Sequence, residues 1–246
     1  MTDGLGFGRA ERRAAEAAGY SYRVHMTDDG IDEYQPSLAV LTDAVPALSV
    51  VPVGTSLVAG PAFHPISKPV QDLARVDHWQ RSGDRIVVAL GGADPAGYSE
   101  ILLETAETEL SDYHVSIVLG PGVTAARRRI MTRRARQVEV VVDPASLPRL
   151  LASADLAVTL GGLTSYEAMC LGCPVAALPW MHMAPVVSRL KAAGLVAELD
   201  IQAAGEGIRR LLGDEVKLSN FAERGRSTID GLGARRLAAA IVGCAN

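Results

Sequence analysis

The second half of the chain alternates short runs of apolar, often β-branched residues with longer segments of mixed polarity. This pattern predicts strands at about 85–90, 113–119, 137–142, 155–160 and 174–178, and helices over 97–110, 123–136, 145–153, 164–171 and 184–193. Continuous apolar strands separated by helices are typical of a parallel sheet that is covered on both faces. Residues 83–246 are therefore predicted to form a Rossmann-like domain with closing helices at its C-terminal end.

The first half is less regular. A helix is predicted at about 8–18, and short apolar runs follow, among them S-L-A-V-L-T-D and S-L-V-A-G. Proline and glycine are dense from Pro52 to Pro69, so an interdomain linker is placed at 66–82. Residues 1–65 are predicted to form a reduced, Rossmann-like N-terminal domain.

Composition narrows the functional class. The 246 residues are 48% hydrophobic and 21% charged, which is typical of a soluble α/β protein with a sizeable core. The net charge of −4 provides no field that attracts a polyanion, so no nucleic-acid partner is expected. No secretory signal or membrane-spanning run is recognised, and the three cysteines are an odd number, so a cytoplasmic location is predicted.

A glycine turn between a strand and a helix carries most of the functional signal. Strand D-L-A-V-T-L runs into Gly161-Gly162, and a helix is predicted to start near Thr164. Glycines let a ligand approach the backbone, and the free N–H groups of a helix N-terminus bind phosphate. Thr164 and Ser165 offer hydroxyls suited to phosphate oxygens, and Glu167 offers a carboxylate suited to a diol such as ribose.

The same residues also have a structural interpretation. Thr164-Ser165-Tyr166-Glu167 fits the T-x-x-E capping box, in which Glu167 reaches back to the backbone of Thr164 and contributes about 1 kcal/mol. A capping box explains the threonine and the glutamate but does not require two glycines before them. The turn is therefore expected both to cap the helix and to bind a ligand.

A second glycine pair, Gly91-Gly92, follows the first predicted strand of this half and precedes Asp94-Pro95. The pair could approach a phosphate, whereas Asp94-Pro95 is also an ordinary helix-start signal. Because the carboxyl ends of parallel strands meet at one edge of a sheet, the two glycine loops are expected to converge on one crevice.

The remaining candidates have structural alternatives. Cys170 and Cys173 have C-x-x-C spacing without a second pair, which favours structural thiols, and no metal site is predicted. His182 follows an apolar strand at its carboxyl end and is a candidate for lining the site. Six arginines between Arg127 and Arg136 favour a solvated helix face, with contact to an anionic membrane as the alternative.

The segment A-D-L-A-V-T-L-G-G-L-T-S-Y-E-A-M-C-L-G-C-P-V-A-A-L-P resembles the donor-binding signature of GT-B nucleotide-sugar enzymes, such as the N-acetylglucosaminyltransferase of peptidoglycan synthesis. I-V-V-A-L-G-G-A-D-P and S-L-V-A-G-P-A-F-H-P-I resemble segments of the UDP-sugar hydrolase of the pseudaminic acid pathway and its spore-coat-polysaccharide relatives. The resemblance implies a GT-B-like fold of two Rossmann-like domains. It implies that the diphosphate of UDP is bound by Gly161, Gly162, Thr164 and Ser165, and that the ribose is bound by Glu167.

The N-terminal part departs from that family. The family opens with a strand, then Asp-Gly and Gly-x-Gly-His-x-x-Arg, and Asp3-Gly4 and Gly6-Phe7-Gly8-Arg9-Ala10-Glu11-Arg12 align with this pattern. Arg9 thus replaces the histidine that the family uses for proton transfer, and Arg12 is kept. The opening strand and about one βαβ unit between residues 20 and 50 are expected to be missing. M-H-M-A-P-V-V also replaces the family's Q-x-x-N pattern after the donor signature.

Three functional hypotheses follow. The first is a metal-independent glycosyltransferase that uses a nucleotide sugar, expected to be a UDP-sugar, as its co-substrate without a further cofactor. It would pass a hexosyl unit to a small acceptor in secondary-metabolite or cell-surface glycan synthesis. The alternatives are hydrolysis of the nucleotide sugar, and a catalytically silent subunit that contacts a partner protein. The sequence leaves the sugar, the acceptor and the oligomeric state open.

The catalytic residues of the first hypothesis are only partly assigned. Arginine cannot act as a general base near neutral pH, because its guanidinium stays protonated there. Arg9 or Arg12 would therefore offer charge to the leaving diphosphate, and Asp43 and His182 are the candidates for the base.

Overall fold

A computed structural model describes residues 2–3, 13–14, 17–19, 22–26, 36–42, 53–76, 82–142 and 144–245. The described residues fall into two compact units, one drawn from Met1–Pro65 and Asp230–Asn246 and the other from Ile66–Ile229. Arg9, Arg12 and Asp43 lie outside the described residues.

Strands and helices alternate through most of the described chain. The strands are β1 (Thr2–Asp3), β2 (Val24–Met26), β3 (Leu38–Leu41), β4 (Ser56–Ala59), β5 (Arg85–Ala89), β6 (His114–Val118), β7 (Glu139–Val141), β8 (Leu156–Thr159), β9 (Val175–Ala177) and β10 (Ala197–Glu198). The α-helices are α1 (Lys68–Ala74), α2 (Tyr98–Thr108), α3 (Ala125–Arg134), α4 (Leu147–Ser153), α5 (Leu163–Cys170), α6 (Ala184–Ala192), α7 (Ala204–Leu212), α8 (Glu215–Thr228) and α9 (Gly233–Ala245).

The first unit is a parallel sheet of four strands in the order β1-β2-β3-β4. Strand β3, L-A-V-L, is buried along its whole length, as expected for a central parallel strand. Helix α9 belongs to this unit, because its Leu237 shares a buried cluster with Val24, Leu38 and Val40.

A short opening strand is present, contrary to the prediction from sequence. Thr2 and Asp3 pair in parallel with His25 and Met26, so β1 precedes the glycine-rich segment that begins at Gly4. Two residues are too few to produce a recognisable apolar pattern, since strand signals need runs of about four or more residues.

The unit boundaries differ from the predicted domains in two places. The predicted linker, 66–82, contributes helix α1 to the second unit, where α1 packs against α4 and α5. The last residues, from Asp230 onward, cluster with the first unit rather than with the C-terminal domain to which the sequence assigned them. An amphipathic helix can cover either sheet, and its sequence does not say which one.

The second unit is a parallel sheet of six strands in the order β10-β9-β8-β5-β6-β7, with helices between the strands. The strands and helices predicted between residues 85 and 193 are all present, and their ends differ by at most two residues. Ile86, Val88, Ile117, Leu156 and Val158 lie at the centre of the buried core. The strand order reverses direction between β5 and β8, which creates a topological switch point.

Candidate functional site

Two glycine loops leave the sheet side by side at the switch point. Gly91-Gly92 follow β5 and Gly161-Gly162 follow β8, and these strands are paired in register from Ile86 to Val88. In open parallel sheets, ligands bind in the crevice outside the carboxyl ends of the strands where the strand order reverses. The convergence of the two loops that the sequence predicts is therefore present in the fold.

A crevice of about 340 Å³ opens between these loops, and we name it the switch-point crevice. Its lining residues are Ala89, Leu90, Gly91, Gly92, Val118, Gly120, Pro121, Leu147, Thr159, Leu160, Gly162, Leu163, Thr164 and Met183. Among these described residues no side chain is charged. Any anion held here would therefore be bound by main-chain N–H groups and hydroxyls rather than by a lysine or an arginine of the lining.

The Gly161 turn is held by close packing. Gly161 has a φ of 87°, in the left-handed region that favours glycine. A Cβ at this position would lie 2.6 Å from Cγ2 of Val187 in helix α6, so a larger residue would force Val187 to shift. The contact fixes the start of α6 against the turn.

Helix α5 begins directly after this turn. Gly162 is its N-cap residue and provides no side-chain cap for the first N–H groups of the helix. An uncapped helix N-terminus, approached through glycine, presents its N–H groups and the positive end of the helix dipole to the crevice.

The predicted capping box is not formed. Thr164 occupies the second position inside helix α5 rather than its N-cap, because the helix starts at Leu163. Ser165 is fully buried, and its hydroxyl lies 2.7 Å from that of Thr159. Thr164 lines the crevice, whereas Ser165 supports the turn from within.

Glu167 makes a contact that no local pattern predicts. Its Oε1 accepts a hydrogen bond of 3.0 Å from Oγ of Ser67, at the N-cap of helix α1. Burial raises the pKa of the Glu167 carboxyl, and the hydrogen bond from Ser67 opposes that rise. Glu167 is not among the crevice-lining residues, so contact with a ribose stays a prediction.

Asp94 is engaged in holding its own loop. Its buried carboxylate accepts the backbone N–H groups of Tyr98 and Ser99 at 3.1 and 3.0 Å, and Nη2 of Arg127 lies 3.0 Å from Oδ2. Arg127 also binds both carboxylate oxygens of Glu100, at 2.7 and 2.6 Å. The hydrogen bonds from Arg127 lower the pKa of Glu100 against the opposing effect of burial. Asp94 therefore acts as a helix cap within an ionic cluster, and its carboxylate is occupied by these contacts.

A third loop also lines the crevice, and it was not among the sites predicted from the sequence. Gly120 and Pro121 follow β6, and a Cβ on Gly120 would collide with the carbonyl oxygen of Gly91. Nη2 of Arg128 donates to both carbonyl oxygens of this loop, at 3.1 Å to Gly120 and 2.7 Å to Pro121. The available signal was G-P-G at the carboxyl end of a predicted strand. Arg127 and Arg128 thus support crevice loops, which a reading of α3 as a solvated arginine face does not anticipate.

The predicted catalytic residues are only partly described. His182 is exposed, lies in a 3₁₀ turn at Met181–Met183, and packs edge-on against Trp180 with 6.0 Å between ring centroids. Its neighbour Met183, rather than His182, lines the crevice. In the first unit, Oγ1 of Thr42, directly before Asp43, lies 3.2 Å from Nδ1 of His64.

Three further expectations concern metal ions, the cysteines and membrane-spanning helices. Over that part of the chain, no cluster of three or more histidine, cysteine, aspartate or glutamate side chains could hold a metal ion. Cys170 and Cys173 are buried, and Cys244 is exposed. No described helix is long and apolar enough to span a bilayer.

About half of the chain is similar to a protein of polysaccharide biosynthesis. No protein-family model matches it. A stretch of 126 residues is 32% identical to the spore coat polysaccharide biosynthesis protein SpsG of Bacillus subtilis. This stretch covers 49% of the chain and 36% of SpsG, so the chain is similar to about a third of that protein.

Solved structures agree with the fold. MurG of Acinetobacter baumannii matches with a TM-score of 0.62 and 14% identity, over 95% of this chain and 70% of that one. The glycosyltransferase of kitacinnamycin matches with a TM-score of 0.60 and 19% identity, over 94% of this chain and 62% of that one. Both are GT-B glycosyltransferases, so the predicted GT-B-like α/β fold is confirmed.

Proposed function

We propose that the chain binds the UDP part of a nucleotide sugar in the switch-point crevice and transfers a hexosyl unit to a small acceptor. The observation that carries the proposal is the pair of glycine loops at the switch point, one of which opens the uncapped helix α5. The name of SpsG, a spore coat polysaccharide biosynthesis protein, supports a role in cell-surface or secondary-metabolite glycan synthesis.

The chemistry would rest on charge stabilisation at the start of helix α5. As the bond between sugar and diphosphate breaks, negative charge grows on the leaving phosphate. Main-chain N–H groups near Gly162 and the hydroxyl of Thr164, which line the crevice, would stabilise that charge. Arg9 or Arg12 would add positive charge, and Asp43 or His182 would take the proton of the acceptor hydroxyl.

Binding of UDP, TDP and GDP by isothermal titration calorimetry tests the proposal. Gly92→Ala is the informative variant, because Gly92 lines the crevice and a Cβ there would meet no heavy atom within 4 Å. The variant should fold normally and should lose about ten-fold in UDP affinity, since the methyl group keeps a phosphate from the backbone. Gly243→Ala, an equally open glycine position on helix α9, is the matched control and should bind as the wild type does.

The outcomes separate the three hypotheses. A preference for UDP that Gly92→Ala weakens supports a UDP-sugar enzyme, and the absence of binding by every nucleotide favours a silent partner subunit. If UDP binds, incubation with UDP-sugars in water distinguishes the two reactions. Rapid release of UDP without an acceptor identifies hydrolysis, whereas release that requires an added acceptor identifies transfer.

A further inference from the structure

A second cavity, of about 310 Å³, lies beside the edge strand β10 of the second sheet. Strand β10 and helices α6, α7 and α8 contribute to its lining, whose charged residues are Lys191, Glu198, Arg210 and Lys217. We name it the edge-strand pocket. Among the described residues, it shares no lining residue with the switch-point crevice. Small-molecule sites enclose about 300–1,000 Å³, so this pocket has room for a compact ligand.

The floor of the edge-strand pocket is apolar. Val196, Leu199 and Leu211 are buried residues of its lining. A Cβ on Gly207 of α7 would lie 2.7 Å from Cδ2 of Leu199, so α7 packs directly against the end of β10. Phe221 of α8 is only partly buried and adds an aromatic side chain to the lining. The floor is therefore held by close packing and offers apolar surface to a ligand.

The wall of the edge-strand pocket is positively charged. Lys191, Arg210 and Lys217 come from three different helices, and Glu198 of β10 is the carboxylate among the lining residues. Nζ of Lys191 lies 3.5 Å from Oε1 of Glu198. Three cations and one carboxylate give the lining side chains a net charge of +2, although the whole chain has a net charge of −4. The switch-point crevice, by contrast, has no charged side chain among its described lining residues.

Two of these cations are not neutralised by the protein. Glu206 precedes Arg210 by one helical turn, a spacing that favours an ion pair. Within the described part of the chain, however, neither Arg210 nor Lys217 forms an ion pair. Positive charges gathered around one cavity repel each other, and a bound anion would relieve that repulsion.

We propose that the edge-strand pocket binds a phosphate monoester that carries an apolar group. The phosphate would lie against Arg210 and Lys217, and the apolar group would lie on the floor near Leu199 and Phe221. A phosphate monoester has close to two negative charges at neutral pH, which matches the charge of the lining. The planar guanidinium of arginine binds phosphate oxygens through two parallel hydrogen bonds. This site does not depend on a nucleotide in the switch-point crevice.

Isothermal titration calorimetry with phenyl phosphate tests the proposal. Benzoate has the ring and one negative charge, inorganic phosphate has the charge without the ring, and phenol has the ring without the charge. Phenyl phosphate should bind about ten-fold tighter than benzoate because of its second charge. It should also bind about ten-fold tighter than inorganic phosphate because of its ring, and phenol should bind most weakly.

Substitutions in the wall locate the bound phosphate. Arg210→Gln and Lys217→Gln should each weaken phenyl phosphate binding about five-fold, and the double variant about twenty-fold, because each removes a charged donor from an exposed site. Arg129→Gln changes an exposed arginine of α3 outside the pocket and should bind as the wild type does. Thermal denaturation should give the wild-type midpoint for all of these variants.

The proposal fails if phenyl phosphate does not bind at millimolar concentration, or if the double variant binds it as tightly as the wild type. Displacement of phenyl phosphate by UDP would place the ester in the switch-point crevice and would also overturn the proposal. Equal affinities for phenyl phosphate and inorganic phosphate would overturn the assignment of a monoester with an apolar group. Absence of UDP binding would contradict the proposed function alone, since phenyl phosphate should still bind and should still depend on Arg210 and Lys217.

Discussion

Two glycine loops leave neighbouring strands of one sheet, yet they are held in place by different forces. The loop after β5 is anchored by charge, because Arg127 bridges the buried Asp94 to Glu100. The turn after β8 is anchored by packing, because Gly161 lies against Val187 and the hydroxyl of Ser165 bonds Thr159 beneath it.

The difference indicates how each wall of the crevice can be disturbed. An ionic anchor depends on pH and on both partners being present, since an unpaired buried carboxylate is costly. A packing anchor depends on volume and on backbone conformation, and it is insensitive to pH. The charged groups also lie behind their loop rather than in the crevice, so the ionic anchor adds no charged side chain to the described lining.

The largest effect is expected for Gly161→Ala. An alanine at the Gly161 φ of 87° should lower the free energy of unfolding by about 1–2 kcal/mol. Overlap of its Cβ with Val187 should lower it by about 1–3 kcal/mol more. We expect the free energy of unfolding to fall by about 4 kcal/mol, as measured by urea denaturation.

A double variant separates the two causes. Adding Val187→Ala to Gly161→Ala should remove the steric overlap and leave the backbone strain, so the two substitutions should couple favourably in a double-mutant cycle. Gly92→Ala is the control glycine, with open space around its Cβ, and should change stability by less than about 0.5 kcal/mol. A loss below about 1 kcal/mol in Gly161→Ala would contradict the packing anchor.

A smaller effect is expected for Arg127→Ala. The substitution leaves Asp94 buried without its ionic partner, and Glu100 partly buried without its partner. Removal of one member of a fully buried pair costs about 3–5 kcal/mol. Since Arg127 and Glu100 are each a little over one-quarter exposed, we expect a loss of about 2 kcal/mol at neutral pH.

The pH dependence of this variant identifies the ionic anchor. Hydrogen bonds from Arg127 lower the folded-state pKa of Glu100 below its ordinary value of 4.5. The resulting stability is present above pH 4.5 and is lost as pH falls through the folded-state pKa. The difference between wild type and Arg127→Ala should therefore shrink in acid, whereas the exposed Arg129→Ala should differ little from wild type at any pH. A difference that is constant with pH would show that Arg127 acts through packing alone.

The strands of the second sheet and the two glycine loops were predictable from the sequence because they depend on local pattern. Buried parallel strands are continuous apolar runs, as in R-I-V-V-A of β5, and the loops follow the carboxyl ends of such runs. The residues that complete the site depend instead on tertiary contacts. Met183 reaches the crevice from the 3₁₀ turn before α6, and no spacing in the sequence relates it to Gly162.

The capping box shows that a sequence can match a motif without forming the corresponding structure. Its residue types match at Thr164 and Glu167, but Gly162 takes the N-cap position and the helix begins at Leu163. Glu167 then bonds Ser67, which is 100 residues away in the chain, and no local pattern can indicate that partner. Likewise, the arginines of α3 resemble a solvated face until the loops that Arg127 and Arg128 contact are known.

The smallest effect on stability is expected for Glu167→Gln. Unlike the other substitutions, this one should stabilise the protein. Burial raises the folded-state pKa of Glu167 above its ordinary 4.5, against the hydrogen bond from Ser67. Stability from the protonated form is present below pH 4.5 and is lost as pH rises through the folded-state pKa. Glutamine keeps an acceptor for Ser67 without the buried charge, so it should stabilise the protein slightly at neutral pH and have no such effect in acid.

UDP affinity of the same variant tests the predicted ribose contact. A carboxylate that accepts hydrogen bonds from a ribose diol binds more strongly than an amide, so loss of the charge should weaken UDP binding about ten-fold if that contact exists. Val216→Gln is the control for a distant glutamine substitution. A rise in stability with unchanged UDP affinity would assign Glu167 to the contact with helix α1 alone. A rise in stability with weaker binding would show that the protein retains a costly buried carboxylate because the nucleotide requires it.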